Sequence, residues 1–295
     1  MPTMDSKYVV RIVVDVLLLS IVAGCIFVVK KVWSPFERGM YCDDESIRYP
    51  YTDHETVSDT ALMLFGVAMP VGLMCLLELW RIRSEAVGKP LLSCSRKTSS
   101  WFWASYTTVG TFLFGCACSQ LSTDIAKYSI GRLRPHFVSI CKPDWSKINC
   151  TEDYIDPIPC TTPDDDHRMK EARLSFPSGH ASFSAYTMIY LVIYLQVRFK
   201  LKNPKLVRPF LQFVCLMMTF YCCLSRISDY KHHWSDVLFG FLLGTTVAVL
   251  ISWCVSDLFQ PTLPPSSKDQ TVFLQDCRFV GNESENDKSR TNLGE

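Results

Sequence analysis

Trp234-Ser-Asp-Val-Leu-Phe-Gly-Phe-Leu-Leu-Gly-Thr-Thr-Val-Ala-Val-Leu-Ile-Ser-Trp-Cys-Val255 is a run of 22 residues with one charge, Asp236, near its start. A helix needs about 20 apolar residues to cross the hydrocarbon of a bilayer, so this stretch reads as a membrane span. Five further blocks read the same way: Tyr8–Val29, Val57–Trp80, Trp101–Thr123, Ala181–Val197 and Val207–Leu224. The fourth of the six is short and rich in hydroxyls. No soluble core of this chain length could bury six such helices, so the expected fold is all-α, a bundle of six membrane helices.

The bulk composition agrees. The chain has 295 residues, 48% of them hydrophobic, and they gather into blocks rather than spreading evenly. The formal net charge is +1, and no basic run alternates with aromatics, which argues against nucleic-acid binding. The first apolar stretch is longer than a signal-peptide core, and no small-residue cleavage site precedes Lys30-Lys31, so it is read as the first span. The tail carries no prenylation or retention motif. Asp15 and Glu78 fall inside predicted spans near their cytoplasmic ends, where interfacial placement or pairing with Arg11 or Arg81 is expected over the functional role an intramembrane carboxylate suggests.

Basic residues set the orientation. Arg81, Arg83, Lys89, Arg96 and Lys97 lie between spans two and three, against the single acid Glu85. Arg198, Lys200, Lys202, Lys205 and Arg208 lie between spans four and five, with no acid. Both loops, and both termini, are therefore expected in the cytoplasm. The domain reading is a six-span membrane domain over residues 1–256 and a polar, disordered cytoplasmic tail over 257–295.

Of the fourteen cysteines, Cys25, Cys75, Cys116, Cys118, Cys215, Cys222, Cys223 and Cys254 lie in spans and are read as packing residues. Cys94 and Cys277 fall on the reducing side. Cys42, Cys141, Cys150 and Cys160 face an oxidising compartment, and four cysteines allow three pairings.

Three places on the outer side are dense in polar chemistry. Lys127, Arg132 and Arg134-Pro135 leave span three, where cations could also be plain interfacial residues. Pro177-Ser178-Gly179-His180 opens span four: Ser178 is placed as an N-cap, Gly179 admits a ligand close to the backbone, and a helix start offers free N–H groups to an anion. Its plain reading is an ordinary cap beside an interfacial histidine. Ser225-Arg226, His232-His233 and Asp236 join spans five and six. His232 and Asp236 are four apart and would share a helix face, so the carboxylate could fix the imidazole tautomer. His233 is read as structural, since its i+4 position is Val237.

The topology brings all three to one side, at the ends of different helices. Lys127, Arg134 and Arg226 could then converge on one dianion, with His180 and His232 on opposite sides of its phosphorus, as in-line displacement requires. Lys127…Arg134-Pro135, Pro177-Ser178-Gly179-His180 and Ser225-Arg226…His232…Asp236 resemble the three-part signature of the type 2 phosphatidate phosphatase superfamily. The strings Thr123-Asp-Ile-Ala-Lys127 and Tyr230-Lys-His-His-Trp-Ser-Asp236 look like its animal lipid phosphate phosphatases, over about residues 35–258.

That resemblance implies a nucleophile at His232 that forms a phosphohistidine, oriented by Asp236, with His180 as general acid and then base. It implies a phosphate cradle of Lys127, Arg134, Arg226, Ser178 and the Gly179 backbone N–H. Arg132 lies outside the pattern and is read as an exposed interfacial cation. No cofactor and no metal site are implied, because three cations supply the charge a metal would bring. The implied substrates are phosphatidate, lysophosphatidate, sphingosine 1-phosphate and ceramide 1-phosphate, and the implied location is the plasma membrane, multi-pass, with the site extracellular, or lumenal in internal membranes. Homo- or hetero-oligomerisation is implied by resemblance alone. A catalytically silent lipid-phosphate binder or transporter, and a phosphatase of isoprenoid or sugar phosphates, are the competing readings.

Asn149-Cys-Thr151 is a glycosylation sequon on the predicted outer side, whereas Asn282-Glu-Ser284 lies in the predicted cytoplasmic tail. Asn149→Gln should therefore abolish the glycosidase-sensitive gel shift of protein expressed in a secretory pathway, and Asn282→Gln should leave it unchanged. A shift that depends on Asn282 would invert the topology.

Overall fold

The computed structural model describes residues 6–86, 94–151, 154–163, 167–200 and 204–259. Lys89, Lys202, Cys277, Asn282 and the tail from residue 260 lie outside the described residues, as do the side chains of Cys94, Arg96 and Lys97. The chain divides into two units after Leu258, and the fold below is that of the first.

The described residues are helical, with no strand; Met40 with Ile155 and Pro143 with Cys160 form isolated antiparallel bridges only. The long elements are α1 (Ser6–Val32), then α2 (Asp59–Met63) running through a π turn (Leu64–Ala68) into α3 (Met69–Ala86) and, after it, α4 (Cys94–Ile130). The short α5 (Phe137–Cys141) and α6 (His167–Ala172) precede α7 (Gly179–Arg198), α8 (Val207–Ser228) and α9 (Trp234–Leu250), which ends in a π turn (Ile251–Val255).

Four of these runs are long and apolar enough to cross a membrane: Val9–Val32, Asp59–Ser84, Val207–Ser228 and Trp234–Val255. Their large apolar side chains point outward, as Val13, Leu17 and Phe27 of α1 and Phe210, Phe213 and Phe220 of α8 do. So much exposed apolar surface is stable only against lipid, which makes this a multi-pass membrane protein. The two remaining long helices, α4 and α7, are more polar for identifiable reasons. α4 extends well beyond the expected 101–123 and carries Asp124 and Lys127 in its outer turns.

α7 is the central helix, packed on α9, α8 and α4, and most of its residues are buried. Several of its hydroxyls, which weakened it as an apolar span, bond neighbouring helices. Ser182 Oγ bonds Thr123 Oγ1 at 2.8 Å, Tyr186 Oη donates to the Phe112 carbonyl at 2.8 Å, and Tyr194 Oη donates to Glu78 at 3.0 Å. The two span carboxylates pair as expected: Arg81 lies 2.8 Å from Glu78, and Asp15 takes Arg11 at 4.0 Å as well as the Tyr106 hydroxyl at 3.0 Å.

Above the helices, residues between α1 and α2 and between α4 and α7 form a small cap. Its core joins Met40, Ile47, Leu133, Phe137, Ile140 and Met169. The pairing left open by the sequence is Cys42–Cys150 and Cys141–Cys160, one bond tying the two cap segments together and the other closing the second on itself. The eight span cysteines are free thiols.

The contact that sets the site is between α9 and α7. A Cβ on Gly240 would lie 2.5 Å from the Ser178 carbonyl oxygen, and one on Gly244 would lie 2.0 Å from that of Ser182. Only hydrogen fits there, so two glycines a helix turn apart let α9 touch the α7 backbone, the small-residue packing common between membrane helices. Gly244→Val should force the helices apart and destabilise the protein by roughly 1–3 kcal/mol. A thermal melt in detergent checks this, and an unchanged midpoint would mean the helices are not in such contact.

Candidate phosphate-binding and catalytic site

The first motif is turned toward the others by a helix stop. Gly131 has φ +58°, a left-handed conformation that ends α4 as its backbone N–H closes on the Lys127 carbonyl at 3.1 Å. A Cβ there would collide with the Phe36 carbonyl oxygen. Beyond this turn Arg132 and Arg134 run alongside the residues preceding α7: Ser175 N–H donates to the Arg132 carbonyl at 2.9 Å and Arg134 N–H to that of Ala172 at 2.8 Å.

The second motif behaves as a cap. Ser178 is fully buried, its Oγ accepts the Ala181 N–H at 3.5 Å, and its own N–H donates to the Asp236 carbonyl at 2.9 Å. A Cβ on Gly179 would sit 3.6 Å from Lys127 Nζ, so the ammonium lies against the start of α7. That arrangement sets a half-buried cation beside the positive end of a helix dipole, a contact that becomes favourable when an anion lies between them. Burial, with Arg134 nearby, lowers the Lys127 pKa below its ordinary value, while Glu171 opposes.

The third motif differs from expectation in one respect. α9 begins at Trp234 with His233 as its N-cap, so His232 precedes the helix and shares no face with Asp236. The residue three before Asp236 is His233, and its backbone N–H and Nδ1 both meet Asp236 Oδ2 at 3.0 Å. His232 Nδ1 instead meets the Ser175 carbonyl at 2.8 Å. A carbonyl only accepts, so Nδ1 carries the proton and Nε2 keeps its lone pair. The expected carboxylate contact is therefore replaced by a relay: Ser175 Oγ donates to Asp236 Oδ2 at 2.6 Å while its carbonyl holds His232.

Arg132 is also corrected. It is not an exposed interfacial cation; Nη1 lies 2.5 Å from Asp236 Oδ1 and 2.8 Å from Ser235 Oγ. Sequence spacing could not reveal this, because the partners are 104 positions apart. Ser175, Glu171, Glu55 and Asp59 were likewise missed, since they lie between the motifs and gain their meaning from the fold.

The two arginines expected to bind phosphate have carboxylate partners. Arg226 is buried, with Nη1 on Glu55 and Nη2 on Asp229, each at 3.0 Å, and Nε on Ser225 Oγ at 3.3 Å. Arg134 Nη2 holds Glu171 at 2.6 Å, while its buried Nε has no hydrogen-bond partner. His180 Nε2 is buried and lies 3.5 Å from Asp59 Oδ1, in ion-pair range without a hydrogen bond. An unpartnered guanidinium N–H and an unpartnered imidazole nitrogen in one region fit an anionic ligand.

Lys127, Gly179 and His180 line a cavity of about 590 Å³, together with Asp59, Asp124 and Glu171. Arg134, Arg226 and His232 do not reach its wall. They act on the same region electrostatically: burial first, then Arg134, Lys127 and His180, hold His232 well below the ordinary imidazole range. Burial, then Arg226, lowers His180 to about 4. Both rings are therefore neutral near pH 7. Among the described residues no three His, Cys, Asp or Glu side chains are grouped to hold a metal ion.

The PAP2 superfamily model matches residues 108–260, which span all three motifs. The chain is similar to phospholipid phosphatase 1 of Rattus norvegicus, with 45% identity covering 88% of this chain and 89% of the relative. It is 40% identical to phospholipid phosphatase 2 of Homo sapiens, over 86% of each, and 41% identical to a putative phosphatidate phosphatase of Drosophila melanogaster, over 88% of this chain and 72% of the relative. No solved structure matches it. With motifs, helical fold and full-length relatives in agreement, the chain belongs to the PAP2 superfamily of phosphatases.

Proposed function

We propose that this protein is an integral membrane phosphatase of lipid phosphate monoesters that works through a phosphohistidine on His232. The observation that carries the reading is the meeting of Lys127 Nζ with the start of α7 beside His180, in reach of the fields of Arg134, Arg226 and His232. The relatives' names point to phosphatidate and phospholipid substrates. Phosphatidate, lysophosphatidate, sphingosine 1-phosphate and ceramide 1-phosphate all place a phosphate dianion at the end of an anchored tail. A site at helix ends meets that headgroup where the bilayer meets water. The basic loops support a reading with six spans, both termini cytoplasmic and this end on the extracellular face, or the lumenal face of internal membranes.

The chemistry follows from the tautomer. The His232 Nε2 lone pair attacks phosphorus, forming the P–N bond as the P–O bond to the lipid breaks, and the electron pair leaves on the alkoxide. His180 Nε2–H gives that oxygen its proton, then takes one from the water that cleaves the P–N bond and releases phosphate. His180 needs a proton for the first step, and burial disfavours one. A dianion placed beside the ring opposes that burial, so substrate itself charges the acid. Lys127, Arg134 and Arg226, with the free N–H groups at the start of α7, stabilise the equatorial oxygens. Asp236 acts one step removed, by holding Ser175 and Arg132.

His232→Ala should abolish phosphate release with membrane insertion intact, and wild-type enzyme quenched during turnover of a radiolabelled substrate should carry an acid-labile, alkali-stable label. Retained turnover would remove His232 from the nucleophile role. Because the His232 pKa is lowered, the ring stays neutral as pH falls through the ordinary value and protonates only further down. Labelling should thus persist at about pH 5.5, where a free imidazole is ~90% protonated. Chelators should leave activity unchanged, and strict dependence on added magnesium would overturn the metal-free scheme. Arg132→Ala and Asp236→Asn should each lower kcat, and the double variant should be far from additive, as expected of contacting partners.

A further inference from the structure

Two carboxylates occupy the arginines that the proposed function assigns to phosphate. Glu55 reaches Arg226 from the loop before α2, and Glu171 reaches Arg134 from the short α6. Each pair is lopsided in the same way. The arginines are fixed, with side chains 1% and 12% exposed, whereas the carboxylates are open to solvent at 33% and 43%. Arg226 has Asp229 and Ser225 on its other nitrogens, so the Glu55 position on Nη1 is the one held by a group outside α8 and its cap. Arg134 keeps a buried Nε with no partner beside the Nη2 that Glu171 holds. Burial opposes charge on both acids, but Arg226 with Lys231 and Arg134 with Lys127 outweigh it, so both remain carboxylates below the usual range.

We propose that Glu55 and Glu171 are exchangeable counter-ions of the phosphate cradle: Glu55, which also pairs with Lys231 at 3.3 Å, holds Arg226, and Glu171 holds Arg134, until phosphate oxygens take their places, and the exchange selects for dianions. A carboxylate oxygen and a phosphate oxygen offer a guanidinium N–H the same anionic acceptor, and each acid here meets its arginine through one oxygen. A monoester dianion brings two charges and repays the release of both acids. A diester brings one and repays the release of one. The pairs also keep buried cations from standing uncompensated between turnovers. Among the described residues no carboxylate is ion-paired with Lys127, which lines the cavity and meets the anion first.

This rests on the cradle reading above, and inhibition by inorganic phosphate at a pH where it is dianionic separates the two. Glu55→Gln and Glu171→Gln keep size and a neutral acceptor while removing the competing charge. Each should tighten the phosphate Ki by about tenfold, the worth of one charge-assisted hydrogen bond no longer contested. If the acids merely position the arginines, the same variants weaken phosphate binding, and an unchanged or weaker Ki overturns the proposal. Asp59→Asn removes a carboxylate from the cavity wall without freeing an arginine, so it measures the through-space charge effect; tightening no greater than this also overturns it. A monoanionic dialkyl phosphate should gain more than inorganic phosphate in the Gln variants, and an unchanged gap overturns the selectivity. Arg134→Ala and Arg226→Ala should weaken phosphate; if they do not, the cradle reading itself is at fault. The two Gln variants lie on separate elements, so misfolding of one leaves the other as the test, with detergent melts as the fold control.

Discussion

The carboxylate of Asp236 is wholly buried, and each of its oxygens is committed: Oδ1 to Arg132, and Oδ2 to Ser175 Oγ and to the backbone N–H and Nδ1 of His233. These partners come from the segment after α4, the segment before α7 and the start of α9. One anion therefore binds the chain regions of all three motifs, and its backbone carbonyl also takes the Ser178 N–H that leads into α7. A buried charge so strongly compensated tolerates few alternative arrangements, because loss of any partner leaves a desolvation penalty unpaid. The close approach of α9 to α7 at Gly240 and Gly244 holds that carboxylate in register.

The candidate site residues hang from this frame. Ser175, fixed by Asp236 on one side and by the Arg132 carbonyl on the other, offers its own carbonyl to His232 and so decides which ring nitrogen is free. The rest of the region carries excess positive field, from Lys127 against the α7 start and from two arginines, partly quenched by Glu55, Glu171 and Asp229. Burial first, and this field second, lower the pKa of both histidines, while the Ser175 carbonyl sets the His232 tautomer.

Much was legible in the one-dimensional pattern. Apolar block length marked the helices to within a few residues at α7, α8 and α9, because a bilayer imposes a minimum length that composition must satisfy. α4 was underestimated at both ends: its outer turns carry Asp124 and Lys127 inside a helix that apolarity alone cannot detect. Ser178 as a cap was readable, since capping is a local hydrogen bond. The partner of Asp236 was misread because the i, i+4 rule applies only within a helix, and α9 starts two residues after His232.

By itself, then, the sequence determined the helical membrane architecture and the three motifs by which the chain belongs to its superfamily. These are properties of spacing along the chain, which local geometry and the bilayer convert directly into structure. The tertiary structure alone decided the disulfide pairing, the capture of Arg132 by Asp236, the tie from Ser175 to His232 and the presence of carboxylates on the cradle arginines. Those contacts join residues from different segments, and no periodicity within a segment encodes which distant group a buried charge will meet.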